Sequence, residues 1–114
     1  MTFSTISLSA TVDDKVIAIT ANAAESAVTI HTAIDVAGDY DEVELFANNH
    51  TSTAVELVIL IGGTAAAEEI RKTIPAKDTK LILTGYKIAS GHIIKAFCGT
   101  ANAINVFGKV GRTV

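Results

Sequence analysis

The chain reads as an all-β protein, a single antiparallel β-sandwich of jelly-roll or immunoglobulin-like connectivity with about eight short strands. Three observations lead there. Apolar and polar residues alternate along most segments, as a half-buried strand requires because successive side chains point to opposite faces. Turn residues recur at close spacing, among them Asp13-Asp14, Gly62-Gly63, Pro75-Ala76-Lys77-Asp78 and Ser90-Gly91. Strong helix formers are confined to one stretch, residues 65–72.

The elements follow in order. Within residues 5–12, Ile6, Leu8, Ala10 and Val12 share one face, and Thr5, Ser7, Ser9 and Thr11 the other. After the Asp13-Asp14 turn, residues 15–21 resume as a strand around Val16, Ile17 and Ile19. Residues 28–34 alternate again and are rich in β-branched side chains, which suit a pleated surface. Residues 35–41 make an acidic, glycine-containing loop. Residues 43–63 carry two apolar runs joined by Asn48-Asn49-His50-Thr51-Ser52-Thr53, which predicts a β-hairpin. The helix formers that follow are too few for a stable helix. One helical turn or an irregular loop is expected there, then a short strand over residues 70–74. Residues 79–88 read as a strand with a bend or bulge at Gly85, residues 92–98 as another, and residues 104–110 as the last. No linker, repeat or low-complexity segment divides the chain, so residues 1–114 form one domain, with residues 1–9 a candidate short N-terminal arm.

Composition narrows the function. Charged residues are 18% of the chain, below the usual quarter, and a charge-poor small domain often hides surface in a partner, another copy of itself included. Aromatic residues are 5% with no Trp, so the core must come from Val, Ile, Leu and Ala. The net charge of −3 argues against direct nucleic-acid binding, which draws on Lys and Arg to neutralise phosphates. The first residues lack the basic start and continuous apolar segment of a secretion signal. The longest near-continuous apolar run, residues 55–61, is too short to span a bilayer. A soluble chain made in a cytosol, with no membrane partner, is the expectation. Residues 57–61 and 92–97 are apolar on both faces. Either they are central strands covered by loops, or their outer face meets another subunit.

No residue stands out as catalytic, cofactor-binding or metal-ligating. Gly62-Gly63-Thr64 follows a strand, but lacks the further glycines of a dinucleotide site and the Lys-Ser/Thr of a triphosphate loop. A bulge or wide turn at a sheet edge is the expected role. Asp35, Asp39, Asp41 and Glu42 do not match a calcium loop and read as a solvated acidic loop. His31, His50 and His92 lie on separate segments without zinc-ligand spacing, and His31 is expected at a half-exposed strand position. Cys98 is the only cysteine and reads as a buried, inert thiol. Asn49-His50-Thr51 matches a glycosylation acceptor, but without a secretion signal it is only a turn. No nucleophile motif such as Gly-x-Ser-x-Gly occurs, so no enzyme and no cofactor are expected.

One set of motifs goes further. Asp41-Glu42-Val43-Glu44-Leu45-Phe46-Ala47-Asn48-Asn49 leads through Thr and Ser into an apolar strand ending in Gly62-Gly63-Thr64. Thr73-Ile74-Pro75-Ala76, Leu81-Ile82-Leu83-Thr84-Gly85-Tyr86, Ile94-Lys95-Ala96-Phe97-Cys98 and Asn105-Val106-Phe107-Gly108-Lys109-Val110 follow in that order. Over residues 28–112 this order resembles a family of small virion proteins of tailed bacteriophages. The resemblance implies a structural particle protein with a β-sandwich fold and no chemistry, synthesised in the host bacterial cytoplasm. Capsid decoration is favoured, with the major capsid protein of the assembled shell as partner. The alternative is a neck-, tail- or fibre-associated module that binds host-surface glycans. Such a module would stack sugars on exposed aromatics, drawn from Phe3, Tyr40, Phe46, Tyr86, Phe97 and Phe107, several of which are expected in the core.

Overall fold

The computed structural model describes residues 1–63 and 66–114. Its strands are β1 (Phe3–Ile6), β2 (Ile17–Ala18), β3 (Val28–Thr32), β4 (Tyr40–Asn49), β5 (Val55–Ile61), β6 (Glu69–Ile74), β7 (Thr79–Ile88), β8 (Ile93–Cys98) and β9 (Ile104–Thr113). Among the described residues the helical segments are two single 3-10 turns, Ala24–Ser26 and Ala66–Glu68. The second is the helical turn expected before β6; Thr64 and Ala65, which open that stretch in the sequence, lie outside the described residues.

The pairing is nested. β1 and β2 pair with β9, β3 with β8, β4 with β7 and β5 with β6, all antiparallel. The chain is therefore one long two-stranded ribbon, doubled back between β5 and β6. The ribbon is rolled so that β4 also meets β9 and β5 also meets β8. Two sheets result. Sheet A runs β1-β9-β4-β7, with β2 on the same side of β9 as β1, and sheet B runs β3-β8-β5-β6. This rolled-ribbon order is a jelly roll, which decides between the two connectivities open to the sequence.

The hairpin expected over residues 43–63 does not form, although both of its strands do. β4 lies in sheet A and β5 in sheet B, so the polar segment between them is a corner that crosses from one sheet to the other. Alternation fixes which face of a strand is buried. It does not fix whether the next strand lies beside the first or across the core from it. The N-terminal strands are also shorter than their patterns. β1 ends at Ile6 and Leu8 enters the core. The chain then crosses to sheet B, where Ala10 N–H donates to Ile30 O (3.2 Å) and Ser9 Oγ accepts from Thr32 N–H (2.7 Å).

The hydrophobic core between the sheets is aliphatic apart from Cys98, with Leu8, Ile19, Ile30, Leu45, Leu57 and Ile59 among its fully buried members. None of the aromatic side chains belongs to it, contrary to expectation. The two-faced strand β5 has a third explanation. Val58 and Leu60 point out of sheet B, yet neither is exposed. Directly across the sheet Val58 is flanked by Arg71 and Phe97, and Leu60 by Glu69 and Lys95. Long side chains on β6 and β8 flank the outer face of the central strand, and Val58 and Leu60 are buried within the single chain without a second subunit.

Candidate functional site

β4 carries the polar residues that matter most. Its inward series is Asp41, Val43, Leu45, Ala47 and Asn49, so one polar residue sits at each end of an apolar row. Both are fully buried.

Asp41 is the centre of a network that spans four segments. Arg112 of β9 donates from Nε to Oδ1 (2.8 Å) and from Nη2 to Oδ2 (3.0 Å), a two-pronged clasp. Ile34 N–H reaches Oδ2 at 3.2 Å, and His31 Nε2 lies 2.8 Å from the same oxygen. On its other side, His31 Nδ1 accepts from Ser9 N–H at 3.0 Å. A ring nitrogen that accepts an amide N–H carries no proton of its own, so His31 is neutral and donates from Nε2 to Asp41. Burial alone would push the Asp41 carboxyl up, but hydrogen bonds from Arg112, His31 and Ile34, with the charge of Arg112, hold it below the ordinary range.

Two expectations are corrected here. His31 is not half-exposed but buried, because the register of β3 against β8 slips between Thr29 and His31. That bulge leaves Ile30 as the extra residue and turns both Ile30 and His31 inward. Asp41 does not belong to a solvated acidic loop but to the strand, buried, while its neighbour Glu42 faces solvent. No local signal marks the bulge in the sequence. The signal for Asp41 is present, since it continues the inward alternation of β4 by one step.

The serine, histidine and aspartate of this network do not form a nucleophilic triad. Ser9 offers His31 its backbone N–H, while its hydroxyl accepts from Thr32 N–H. The arrangement positions strands; it does not activate an oxygen.

Asn49, at the other end, uses both halves of its amide. Nδ2 donates to Thr53 O (2.9 Å) and Ile74 O (3.0 Å), while Oδ1 accepts from Thr51 N–H (2.9 Å) and Thr51 Oγ1 (2.7 Å). It shapes the corner between β4 and β5 and ties that corner to the end of β6. As an inward side chain it is not presented for glycosylation.

The remaining candidates stay apart. His50 is exposed and bonds Asn102 O at 2.8 Å, while exposed His92 lies at the turn between β7 and β8. Among the described residues no three or more His, Cys, Asp and Glu side chains gather closely enough to hold a metal ion. Cys98 is fully buried, with its thiol against Thr100 O at 3.0 Å, and burial pushes its pKa up. Gly62, with φ of 82°, and Gly63 end the central strand β5 rather than a strand at a sheet edge. With Gly91, His92, Ile93 and Lys95 they line a cavity of about 200 Å³, below the usual range for a small-molecule site.

What the surface does offer is a face. Register places Phe3, Thr113 and Tyr40 in one row across the outside of sheet A, and Phe107, Phe46 and Leu81 in another. The rings of Phe46 and Phe107 stack with centroids 5.3 Å apart, and Leu81 beside them is 50% exposed. Between the rows lie Glu42, Glu44, Lys87 and Lys109, with Lys87 Nζ 4.3 Å from the centre of the Tyr40 ring. Phe3 is 65% exposed and lies over Gly111, where a Cβ would stand 2.7 Å from its ring. The sequence concealed this face because an apolar residue on a strand is ordinarily assigned to the core.

Among the described residues, no helix is long and apolar enough to cross a membrane. No family model matches the chain, and comparison with curated proteins and with solved structures gives no match either.

Proposed function

We propose that this protein is a structural component of a tailed-bacteriophage particle, a capsid decoration protein that binds the assembled head and stabilises it. The observation that carries the reading is the outer face of sheet A. Phe3, Tyr40, Phe46 and Phe107 stand on it instead of in the core. Aromatic side chains are enriched where proteins meet, and a face that bands rings with mixed charges fits a protein partner. The motif order of residues 28–112 supports the phage assignment, and the jelly roll, an architecture shared by viral capsid domains, is compatible with it. The buried polar side chains described above are spent on holding strands together, which leaves binding as the work of the surface.

A decoration protein reads neighbouring capsid subunits at once, so it binds the closed shell well and free subunits poorly. Purified protein is expected to co-sediment with expanded heads, to saturate at a number of sites set by the lattice, and to raise the temperature at which heads break. Phe46→Ala should weaken that binding roughly tenfold or more, as loss of a central aromatic contact does. Binding to isolated tails or host glycans, with none to heads, would overturn the proposal. One observation favours that second reading. Tyr86, 38% exposed, lines an open depression of about 340 Å³ with Glu68, Lys87 and His92, a ring beside polar groups such as a sugar would use.

A further inference from the structure

The two sheets have four edges, and three of them are closed to further strands. β3 is covered by residues 8–10 through the Ala10–Ile30 and Ser9–Thr32 bonds. β6 carries Glu69, Arg71 and Lys72, and Arg71 is held by Glu69 (2.8 Å) and Glu56 (2.7 Å). β7 has extra residues at two places in its pairing with β4, one beside Gly85 with φ of 62°, which kink it away from a flat ladder. Charge, bulges and cover are the devices by which sheet edges avoid other chains.

β1 has none of them. It is four residues, Phe-Ser-Thr-Ile, with no proline, charge or register slip, and the first twelve residues of the chain bear no charged side chain. Its hydrogen-bond phase is fixed by the Thr2–Val114 pair, which exchanges bonds in both directions (2.6 and 2.9 Å). Antiparallel pairs alternate, so Ser4 and Ile6 spend their backbone groups on β9 while Phe3 and Thr5 aim theirs at the open edge. Among the described residues no backbone group accepts from or donates to that side of β1.

We propose that β1 pairs with β1 of a second copy of this chain, antiparallel and about a two-fold axis through Ser4. The register is self-complementary. Phe3 of each copy faces Thr5 of the other, which satisfies both residues' free N–H and C=O with about four hydrogen bonds. Sheet A then runs unbroken from β7 of one copy to β7 of the other. Exposed Val16, just before β2 on the same side of β9, extends the apolar border of the edge. No charged side chain of residues 1–12 opposes the approach of the two segments. The inference stands apart from the decoration reading, although pairing would also join the aromatic faces of the two sheets A into one.

The test is sedimentation equilibrium across a concentration series with amide hydrogen exchange on the same samples. The expected result is a mass that rises to twice that of the chain, with the amides of Phe3 and Thr5 protected as the dimer forms. Thr5→Pro removes an N–H that β9 does not use, and Thr5→Lys places a charge on the edge; both should give monomers with the sheet-type circular dichroism of the parent. A parent that stays monomeric at every concentration overturns the proposal. So does a dimer in which Phe3 and Thr5 exchange freely, or one that survives both substitutions.

Discussion

The two ends of β4 solve the same problem with different chemistry. At one end Asp41 is buried as a charge, clasped by Arg112 and backed by His31; at the other Asn49 is buried as a neutral amide. Asp41 gathers segments remote in sequence: the N-terminal crossing, β3, the loop before β4, and β9. Asn49 serves a local corner and the end of β6. The difference is one of reach and of risk. A charge holds several donors at once, but it is stabilising only while it is a charge and only while its partners are present.

The comparison breaks most visibly at Asp41. Asp41→Ala leaves Arg112 and His31 facing an empty site, and should cost about 3–5 kcal/mol in chemical denaturation. A loss under about 1 kcal/mol would mean that water or rearranged side chains replace the carboxylate. Ile59→Ala, on β5 in the opposite sheet, provides an apolar yardstick. Ile59 is inward and buried, so its truncation should cost about 2–5 kcal/mol. Asn49→Ala should cost less than Asp41→Ala, about 2–3 kcal/mol, because its four hydrogen bonds are neutral and three of them only part-buried, at the low end of the roughly 0.5–1.5 kcal/mol such bonds contribute. Equal costs at the two ends would remove the distinction between charge and amide.

A subtler experiment exchanges the chemistries and reads stability against pH. The Asp41 carboxyl is held below its ordinary value in the folded state. The unfolded chain therefore binds the proton first, so the contribution of Asp41 is complete above the unfolded carboxyl range, about 3.9, and fades as pH falls through the lower folded value. Asp41→Asn should remove that acid-limb slope while lowering stability at neutral pH. Asn49→Asp should do the reverse. Its new carboxylate would face the carbonyl oxygens of Thr53 and Ile74, so its folded pKa rises and stability falls as pH climbs above about 4. Parallel pH profiles for the parent and Asp41→Asn would show that the clasp is not what titrates.

These residues also mark how far sequence reading reaches. Alternation made nearly every strand visible, including the aliphatic face of β5 and the bend at Gly85. It left the connection of β4 to β5 undecided, because a hairpin and a sheet crossing bury the same side chains. It misplaced His31, because one bulged residue inverts every face that follows and leaves no mark in composition. Asp41 and Asn49 were within reach, since they extend the inward row of β4 by one step at each end. A polar residue in phase with a buried row is a candidate for a satisfied interior network, and the habit of assigning acids to loops hid this one. The aromatic face was hidden by the opposite habit. Strand periodicity distinguishes two faces but does not say which is dry, and the stacked Phe46 and Phe107 occupy the wet one.

The place of β9 has a consequence for how the molecule comes into being. Ile104–Thr113 is not an edge but an inner strand, seated between β4 on one side and β1 and β2 on the other. On a ribosome β1 through β8 emerge before it, and until it arrives β1 and β2 have no partner and Asp41 has no arginine. Sheet B has all of its strands by residue 98, whereas sheet A acquires its centre only with the last ten residues of the ribbon. Sheet B can therefore pair all of its strands without β9, whereas sheet A cannot close without it. Contacts between strands about a hundred residues apart close late and slowly, in the millisecond-to-second range of all-β domains. The step that completes the core is the same one that brings Arg112 to Asp41, so the buried charge becomes useful only at the moment the interior is sealed.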